Sequence, residues 1–364
     1  MGFRIDSVTI EEQCRDSALA ARVLKSLGDK VPVRYVFDGR EAVRNHTNED
    51  SFDADKRRMT IMTRRQPFLM ACPAASAEFA CCGYLVMTLA SNCPMDCSYC
   101  FLQEFVADNP ALQIYANYAD AIDEVERRRL KAPGRKFRIG TGELADSLAF
   151  DTITGISRDL VEYFARHSTL TLELKTKTGE IGNLVELDPK GRTLVSWSLS
   201  PKAVFEACEH GTAPPGLRIA AARRVLDCGY KVAFHLDPLI DYEAAARDYL
   251  ELLDQLFDSI EPKHISLVSI GGLRMTPRLN SIARRRFPED RLLAASETLL
   301  APDGRLRTSA PQRLRLYRTV ADAIKRAAPE LPCYLCMETT SISRHVFGAE
   351  APSPAAMAER LAGR

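Results

Sequence analysis

"SRDLVEYFARHSTLTLELKT", residues 157–176, changes its period once. Its first part, "SRDLVEYFARHS", spaces apolar residues as a helix does; its last, "LTLELKT" (170–176), reads as a strand with leucine at alternate positions. The same change recurs along the chain. Strands are expected at "GYLVMTLA" (83–90), "KFRIGT" (136–141), "TLVSWSL" (193–199), "KVAFHLD" (231–237) and "HISLVSI" (264–270). Helical stretches lie between them: "ANYADAIDEVERRRL", "LRIAAARRVLDCG" and "YEAAARDYLELLDQLF". About six βα units in series predict an α/β fold, a parallel sheet with right-handed crossovers curved into a partial TIM barrel. Upstream, "FRIDSVTI", "DSALAARVLKSLG" (closed by Gly28) and "VPVRYVF" predict a small N-terminal α/β subdomain over residues 1–75. The barrel is expected over 76–348, ending in a helix, "QRLRLYRTVADAIKRAA" (312–328), and a strand-like run, "PCYLCME" (332–338). Residues 349–364, rich in Ala and Pro, are expected to be a flexible tail.

The 364 residues carry 49 basic against 48 acidic side chains, a formal net charge of +1. Any contact with nucleic acid must therefore come from a local patch, not from an overall basic field. A hydrophobic fraction of 46% and a charged fraction of 27% are those of a globular chain with a buried core. No apolar run approaches the ~20 residues of a membrane helix. The start, "MGFRIDSVTIEEQCRDS", has no signal-peptide core, and Asp6 stands where a myristoylation signal needs Ser or Thr. A cytoplasmic location without membrane contact is expected. In that reducing setting, eleven cysteines point to metal binding or catalysis, not to a disulfide framework.

Three of those cysteines cluster in "ASNCPMDCSYCFLQ" (90–103), where Cys93, Cys97 and Cys100 are spaced C-x₃-C-x₂-C. They follow the first barrel strand directly, on the side where parallel folds carry their chemistry. Thiolates are soft ligands, suited to Zn²⁺ or to iron–sulfur clusters. A structural zinc site is closed by four ligands, and no second group follows at knuckle distance. A cubane [4Fe–4S] cluster also wants four. Three thiols leave one iron open, and an open position binds substrate. Three packing cysteines are the bland alternative.

The spacing, with an aromatic residue before the last cysteine, resembles the radical S-adenosylmethionine (SAM) signature, and "CPMDCSYCFLQ" resembles its spore photoproduct lyase branch. The similarity continues through "TGELADSLAFD", "LELKTKT", "SWSLSP", "FHLDP" and "CYLCME", over roughly residues 5–348. The resemblance implies that Cys93, Cys97 and Cys100 hold three irons of a [4Fe–4S] cluster and that SAM chelates the fourth. One electron from an external donor such as a flavodoxin or ferredoxin would then cleave SAM to a 5′-deoxyadenosyl radical, which abstracts hydrogen from the substrate. In "GTGE", Gly140 and Gly142 admit close backbone approach, and Thr141 or Glu143 can bond the SAM ammonium group. Lys177 corresponds to a lysine for the SAM carboxylate, with Lys175 on the same strand face as its competitor. Ser198 and Asp237 complete the implied SAM contacts. The bland alternatives are a capping acid for Glu143, an exposed strand edge for the lysines and a turn former for Asp237.

Two departures accompany the resemblance. The family has a hydrogen-donating cysteine just after the second strand and a tyrosine after the last cluster cysteine; here "FRIGTGELADS" has no cysteine and the second position is Phe101. Tyr99 matches the family and is a catalytic candidate. Cys336 is the candidate replacement thiol, with Cys81 and Cys82 as others; Cys333 is expected on the opposite strand face, and packing is the alternative for all of these. Cys72, Cys81 and Cys82 are also weighed as a second cluster site, and His235 as a core or site residue. The implied substrate is a damaged or modified base in DNA or another nucleic acid, extruded and held at the barrel rim. Two basic runs are candidates for that contact: "KRRMTIMTRR" (56–65) and "RMTPRLNSIARRR" (274–286), where Arg274 lies near a lesion-contacting position of the family. A solvated helix face is the alternative for Arg284–Arg286. The rival readings are a radical SAM enzyme acting on a small molecule or peptide, and a non-catalytic zinc- or cluster-holding scaffold.

Overall fold

In the computed structural model, residues 3–40, 52–72, 79, 82–107, 109–295, 297–348 and 356 are described. Its first nine strands are β1 (Ser7–Glu11), β2 (Val33–Val36), β3 (Arg58–Met62), β4 (Leu69–Ala71), β5 (Leu85–Met87), β6 (Ala90–Ser91), β7 (Asp96–Cys97), β8 (Leu112–Tyr115) and β9 (Phe137–Gly140). The rest are β10 (Leu170–Thr176), β11 (Thr193–Ser198), β12 (Glu209–His210), β13 (Lys231–Leu239), β14 (Ile265–Gly272), β15 (Arg274–Met275), β16 (Leu299–Leu300), β17 (Leu306–Arg307) and β18 (Cys333–Leu335). The larger sheet runs β18-β14-β13-β11-β10-β9-β5-β4. All its pairings are parallel except β4 with β5 at one edge. The six strands expected of the barrel are therefore neighbours in sequence order, and the open curved sheet is the expected partial barrel.

Its two faces differ chemically. Leu170, Leu172, Leu174, Trp197, Phe234 and Ile270 point outward and share one core with Leu160 and Phe164 of the helix Ile156–Ala165 and with Tyr249 and Leu252 of the helix Ala245–Ser259. Apolar burial there drives the helices onto the sheet, at about 25 cal/mol per Å². The opposite parity carries Arg138, Glu173, Ser196, His235 and Ser269, all buried. A filled TIM barrel packs branched apolar residues on that face. Here Leu194, Ala233 and Leu267 pack with Tyr334 at the base of that face, and the residues above them are polar.

The second sheet runs β2-β1-β3-β8-β6. The helix Ala18–Leu27 packs on it, capped by Ser17 Oγ accepting from the Ala20 amide (3.1 Å) and ended by Gly28 at φ 64°. Two of its five strands, β6 and β8, come from beyond residue 75, whereas β4, before residue 75, joins the larger sheet. The sheets thus interleave in sequence between residues 69 and 115. The strand expected over 83–90 is divided accordingly: β5 belongs to the barrel and β6 crosses to the other sheet. "MTIM", inside the first basic run, is the buried centre of β3. The tail expected over 349–364 lies outside the described residues apart from Ala356, and Cys81 is outside them too. No helix among the described residues is long and apolar enough to cross a membrane.

Phe234 is fully buried between sheet and helices. Phe234→Ala is expected to lower unfolding free energy by about 3–5 kcal/mol. A urea series followed by the fluorescence of the single tryptophan, Trp197, reads this directly; a loss below about 1 kcal/mol would contradict the packing described.

Candidate active site

At the C-terminal ends of the parallel strands lies a cavity of about 610 Å³. The cysteine loop forms one wall, and Cys93, Cys97 and Cys100 all face it. Several contacts fix the loop's shape. Asn92 takes a left-handed φ of 74° and its side chain accepts from the Cys93 amide (2.7 Å). Gln103 donates to the carbonyls of Cys97 (2.8 Å) and Ser98 (2.7 Å). Asp96 is gripped by Lys56 (2.7 Å) and Arg286 (2.6 Å), and Ser98 donates to Asp290 (2.5 Å). β7 pairs with β12, setting Cys97 opposite Glu209.

Burial pushes the Cys97 thiol up to about 12, against the nearby Lys177 cation, and raises Cys93 and Cys100 as well. A bare thiol there keeps its proton, and a bound metal would displace it. Among the described residues no three His, Cys, Asp or Glu side chains converge on a single-ion site. The donor set nevertheless suits an iron–sulfur cluster: three soft sulfurs on one braced loop, apolar cover from Met95 and Leu102, and open cavity on the remaining side.

Behind the loop, Glu209 is fully buried and forms a hub. Its Oε1 accepts from Lys177 Nζ (2.7 Å) and Ser200 Oγ (2.6 Å), its Oε2 from Arg218 Nη2 (2.5 Å), and Tyr99 donates its phenolic proton to the same carboxylate. Lys177 also donates to the Tyr99 oxygen (2.8 Å). Burial would raise the Glu209 carboxyl, but Lys177 and Arg218 outweigh it and hold it well below the usual carboxylate range. Tyr99 and Lys177 are thus brought together. Glu209 is not visible in the sequence, because "ACEHGT" carries no period or motif, and Arg218 reads there only as one position of the helical stretch "LRIAAARRVLDCG".

Of the other expected residues, Gly142, Glu143, Ser198, Asp237 and Cys336 line the cavity. Thr141 does not. It turns aside and donates to Ser147 Oγ (2.7 Å), which in turn accepts from the Lys175 amide (3.0 Å). A Cβ on Gly142 would fall 2.6 Å from Lys175 Cβ, so glycine lets the loop press onto β10. Lys175 lines the cavity and its ammonium makes no hydrogen bond or ion pair among the described residues. Burial would lower its pKa, yet Glu173 and Glu143 outweigh that and keep it charged. Asp237 is held by Arg274 through two bonds, of 2.8 and 3.0 Å. Burial and the Asp237 charge push the Cys336 thiol up, so it keeps its S–H. Cys333 packs on the opposite, core face. Cys72 and Cys82 reach the cavity wall, while Cys81 of the weighed second cluster lies outside the described residues.

Deeper in the lumen Glu173 accepts from Arg138 (2.5 Å) and Ser196 (2.7 Å) and contacts His235 Nε2 (2.9 Å). Sequence reasoning missed this layer except for naming His235; the available signal was polar residues at one parity of strands buried on both faces. The first basic run is largely neutralised, and its Arg64 donates to the Pro67 carbonyl (2.9 Å). Its Lys56, Arg57, Arg58 and Arg65 pair with Asp96, Asp6, Asp55 and Glu11. In the second, Arg274 and Arg286 are paired near the cavity, and Arg278, Arg284 and Arg285 are exposed.

A parallel partial barrel with three thiols on its first loop, facing a cavity at the strand ends, defines the radical SAM class. The spore photoproduct lyase family model matches residues 3–305, and the chain belongs to that family, whose members are radical SAM enzymes. It is 24% identical to the spore photoproduct lyase of Clostridium acetobutylicum over 292 residues, 78% of this chain and 83% of that one. To the Bacillus subtilis lyase it is 23% identical over 219 residues, 60% and 62% of the two chains. A solved spore photoproduct lyase complexed with dinucleoside spore photoproduct superposes with TM-score 0.82 at 20% identity, covering 92% of this chain and 100% of that one. A variant lyase with bound AdoMet and dinucleoside spore photoproduct gives 0.80 at 20% identity, covering 93% and 100%. At such identity the likeness is one of fold.

Burial and the Lys175 charge push His235 from its ordinary 6.5 down to about 4, so it is neutral at pH 7. Between those values the unfolded chain binds the proton that the folded chain refuses, so stability rises with pH across this window. Acidification from pH 6.5 to 4 is expected to remove on the order of 3 kcal/mol through this group. Urea unfolding of the native chain and His235→Gln at both pH values tests it; equal pH slopes would refute the assignment.

Proposed function

We propose that the chain is a cytoplasmic radical SAM lyase acting on a damaged or modified base of DNA or another nucleic acid. The observation that carries this reading is the braced loop presenting three thiols to a large cavity, in a chain of this family. Cys93, Cys97 and Cys100 would hold the [4Fe–4S] cluster. When bound, the cluster and SAM supply a 5′-deoxyadenosyl radical after one electron arrives from an external donor such as a flavodoxin or ferredoxin.

The chain's own residues then bind, orient and exclude water. Glu143, which projects into the cavity, takes the SAM ammonium group; Thr141 is set aside because its hydroxyl is already committed. Lys177 has one ammonium proton beyond its two bonds, and its charge acts on both Cys97 and Cys100, which suits it to the SAM carboxylate. Lys175 acts instead on Cys336 and Asp237, further along the wall. Ser198 and Asp237, at the ends of neighbouring strands, would hold the rest of the cofactor. Cys336 keeps the S–H bond that a hydrogen-atom donor needs, and is assigned that role toward the substrate. Tyr99 is its catalytic companion within the loop, with its O–H oriented by Glu209.

Anaerobic reconstitution with iron and sulfide, then SAM and dithionite, should yield 5′-deoxyadenosine. Cys97→Ala should lose both the cluster absorbance and this product, and survival of either would count against the reading. With ultraviolet-damaged DNA in deuterated buffer, the native chain should place deuterium from the exchanged Cys336 thiol into the repaired base. Cys336→Ala should cut product per 5′-deoxyadenosine by about tenfold or more. Undiminished deuterium transfer would remove Cys336 from the mechanism.

A further inference from the structure

Two helices, Leu102–Phe105 and Pro277–Arg286, form the cavity's lip beside the cysteine loop. They are fastened together at both ends of the longer one. Thr276, its N-cap, donates to Glu104, and Arg286 reaches Gln103 Oε1 (2.7 Å) and Asp96 Oδ2 (2.6 Å). What this rigid lip turns outward is unusual. Phe101 and Phe105 stand edge to face with centroids 6.3 Å apart, 43% and 61% exposed, and both also line the cavity. Paired phenyl rings left in water at a cavity mouth mark a contact surface.

Charge collects on the longer helix of the lip. Arg278 and Arg284 are exposed and form no ion pair among the described residues, and the exposed Arg285 lies on the same helix. Positions 278 and 284 are separated by about 9 Å of helix rise. The other arginines of this end are neutralised: Arg274 by Asp237, Arg286 by Asp96 and Arg305 by Asp303. In a chain of net charge +1 the lip is a local surplus of positive charge next to open aromatic faces.

We infer that the lip is a rest for a single nucleic-acid strand, with a base flanking the reacting one stacked on Phe105 and Phe101 and neighbouring phosphates held by Arg278 and Arg284. This rests on the reading of the cavity as a site for a nucleic-acid base. The rings belong to the cavity wall, so whatever lies on the lip is continuous with what enters the cavity. Stacking accepts any base, and guanidinium forks match phosphate oxygens. Few phosphates are engaged, which fits the near-zero net charge: affinity is modest and carried by stacking.

The test is anisotropy of a fluorescent single-stranded oligonucleotide against the reconstituted full chain, between about 50 and 200 mM salt. Phe105→Ala should weaken binding about tenfold at every salt concentration, leaving the salt slope unchanged. Arg278→Gln with Arg284→Gln should flatten the slope of log K against log salt by about 1.4, two phosphates' worth. Both sites are exposed, so folding is preserved, and a thermal melt verifies it. If the native chain binds and neither variant alters binding, the lip assignment is wrong while the base-repair reading stands. If the native chain fails to bind even at the lowest salt, that reading falls, and the lip with it. Should Phe105→Ala spare the oligonucleotide but slow cluster reduction by a flavodoxin, the lip is a protein-docking face and the inference is overturned.

Discussion

The buried carboxylate of Glu209 joins three parts of the chain that are far apart in sequence. Lys177 reaches it from the end of β10, Tyr99 from inside the cysteine loop and Arg218 from the helix Pro215–Asp227. An isolated buried charge is costly, and a pair is tolerated only when further hydrogen bonds satisfy what remains. Here two cations, a phenol and Ser200 surround one carboxylate, so the desolvation cost is met locally. The consequence is positional. Because β12, which carries Glu209, also pairs with β7, the hub fixes Cys97 and the side chain of Lys177 in one frame. A wall of thiols and a lysine able to face a ligand are set by the same contact.

The lumen beneath follows a related logic. Outward-facing leucines and aromatics secure the helices, leaving the inner parity free to be polar. Glu173 is saturated by Arg138, Ser196 and His235, whereas Arg138 Nη1, Tyr84 Oη and Ser269 Oγ, all on the cavity wall, have no partner among the described residues. Buried donors in this state call for water or a polar ligand. The apolar face supplies stability and the polar face supplies a site, and one alternation along each strand encodes both.

That alternation is why so much was legible beforehand. "LTLELKT" and "TLVSWSL" are long, periodic and bounded by turn residues, and β10 and β11 fall where the pattern put them. The cysteine spacing was likewise local information. What escaped depends on pairing across distance. β3 hides inside a basic run because its charges are neutralised by acids elsewhere, and β8 is a short segment that its neighbours β3 and β6 make a strand. Glu209 lies in a stretch without period, and nothing local shows that three partners converge on it. Thr141 looked equivalent to Glu143 in "GTGE"; the turn of the backbone separates them, and backbone direction is not written in composition.

The absence of a thiol after β9 also has a steric reason. At Gly140 a Cβ would collide with the rigid ring of Tyr84, and at Gly142 with Lys175 Cβ at 2.6 Å, so neither position admits a side chain of any kind. Thr141, between them, faces away from the cavity and is bonded to Ser147. A cysteine at any of these three positions would therefore either overlap its neighbours or point to the wrong side. Tyr84 and Lys175 occupy the space that such a thiol would need, and the thiols that do reach the wall arrive from elsewhere: Cys72 and Cys82 from the approach to β5, and Cys336 just past β18. Of these, Cys336 follows a barrel strand and feels the charges of Asp237, Arg274 and Lys175, which also line the cavity. Under the proposed mechanism hydrogen donation falls to Cys336 across the cavity, because packing at the second strand leaves Gly140 and Gly142 no room for a thiol.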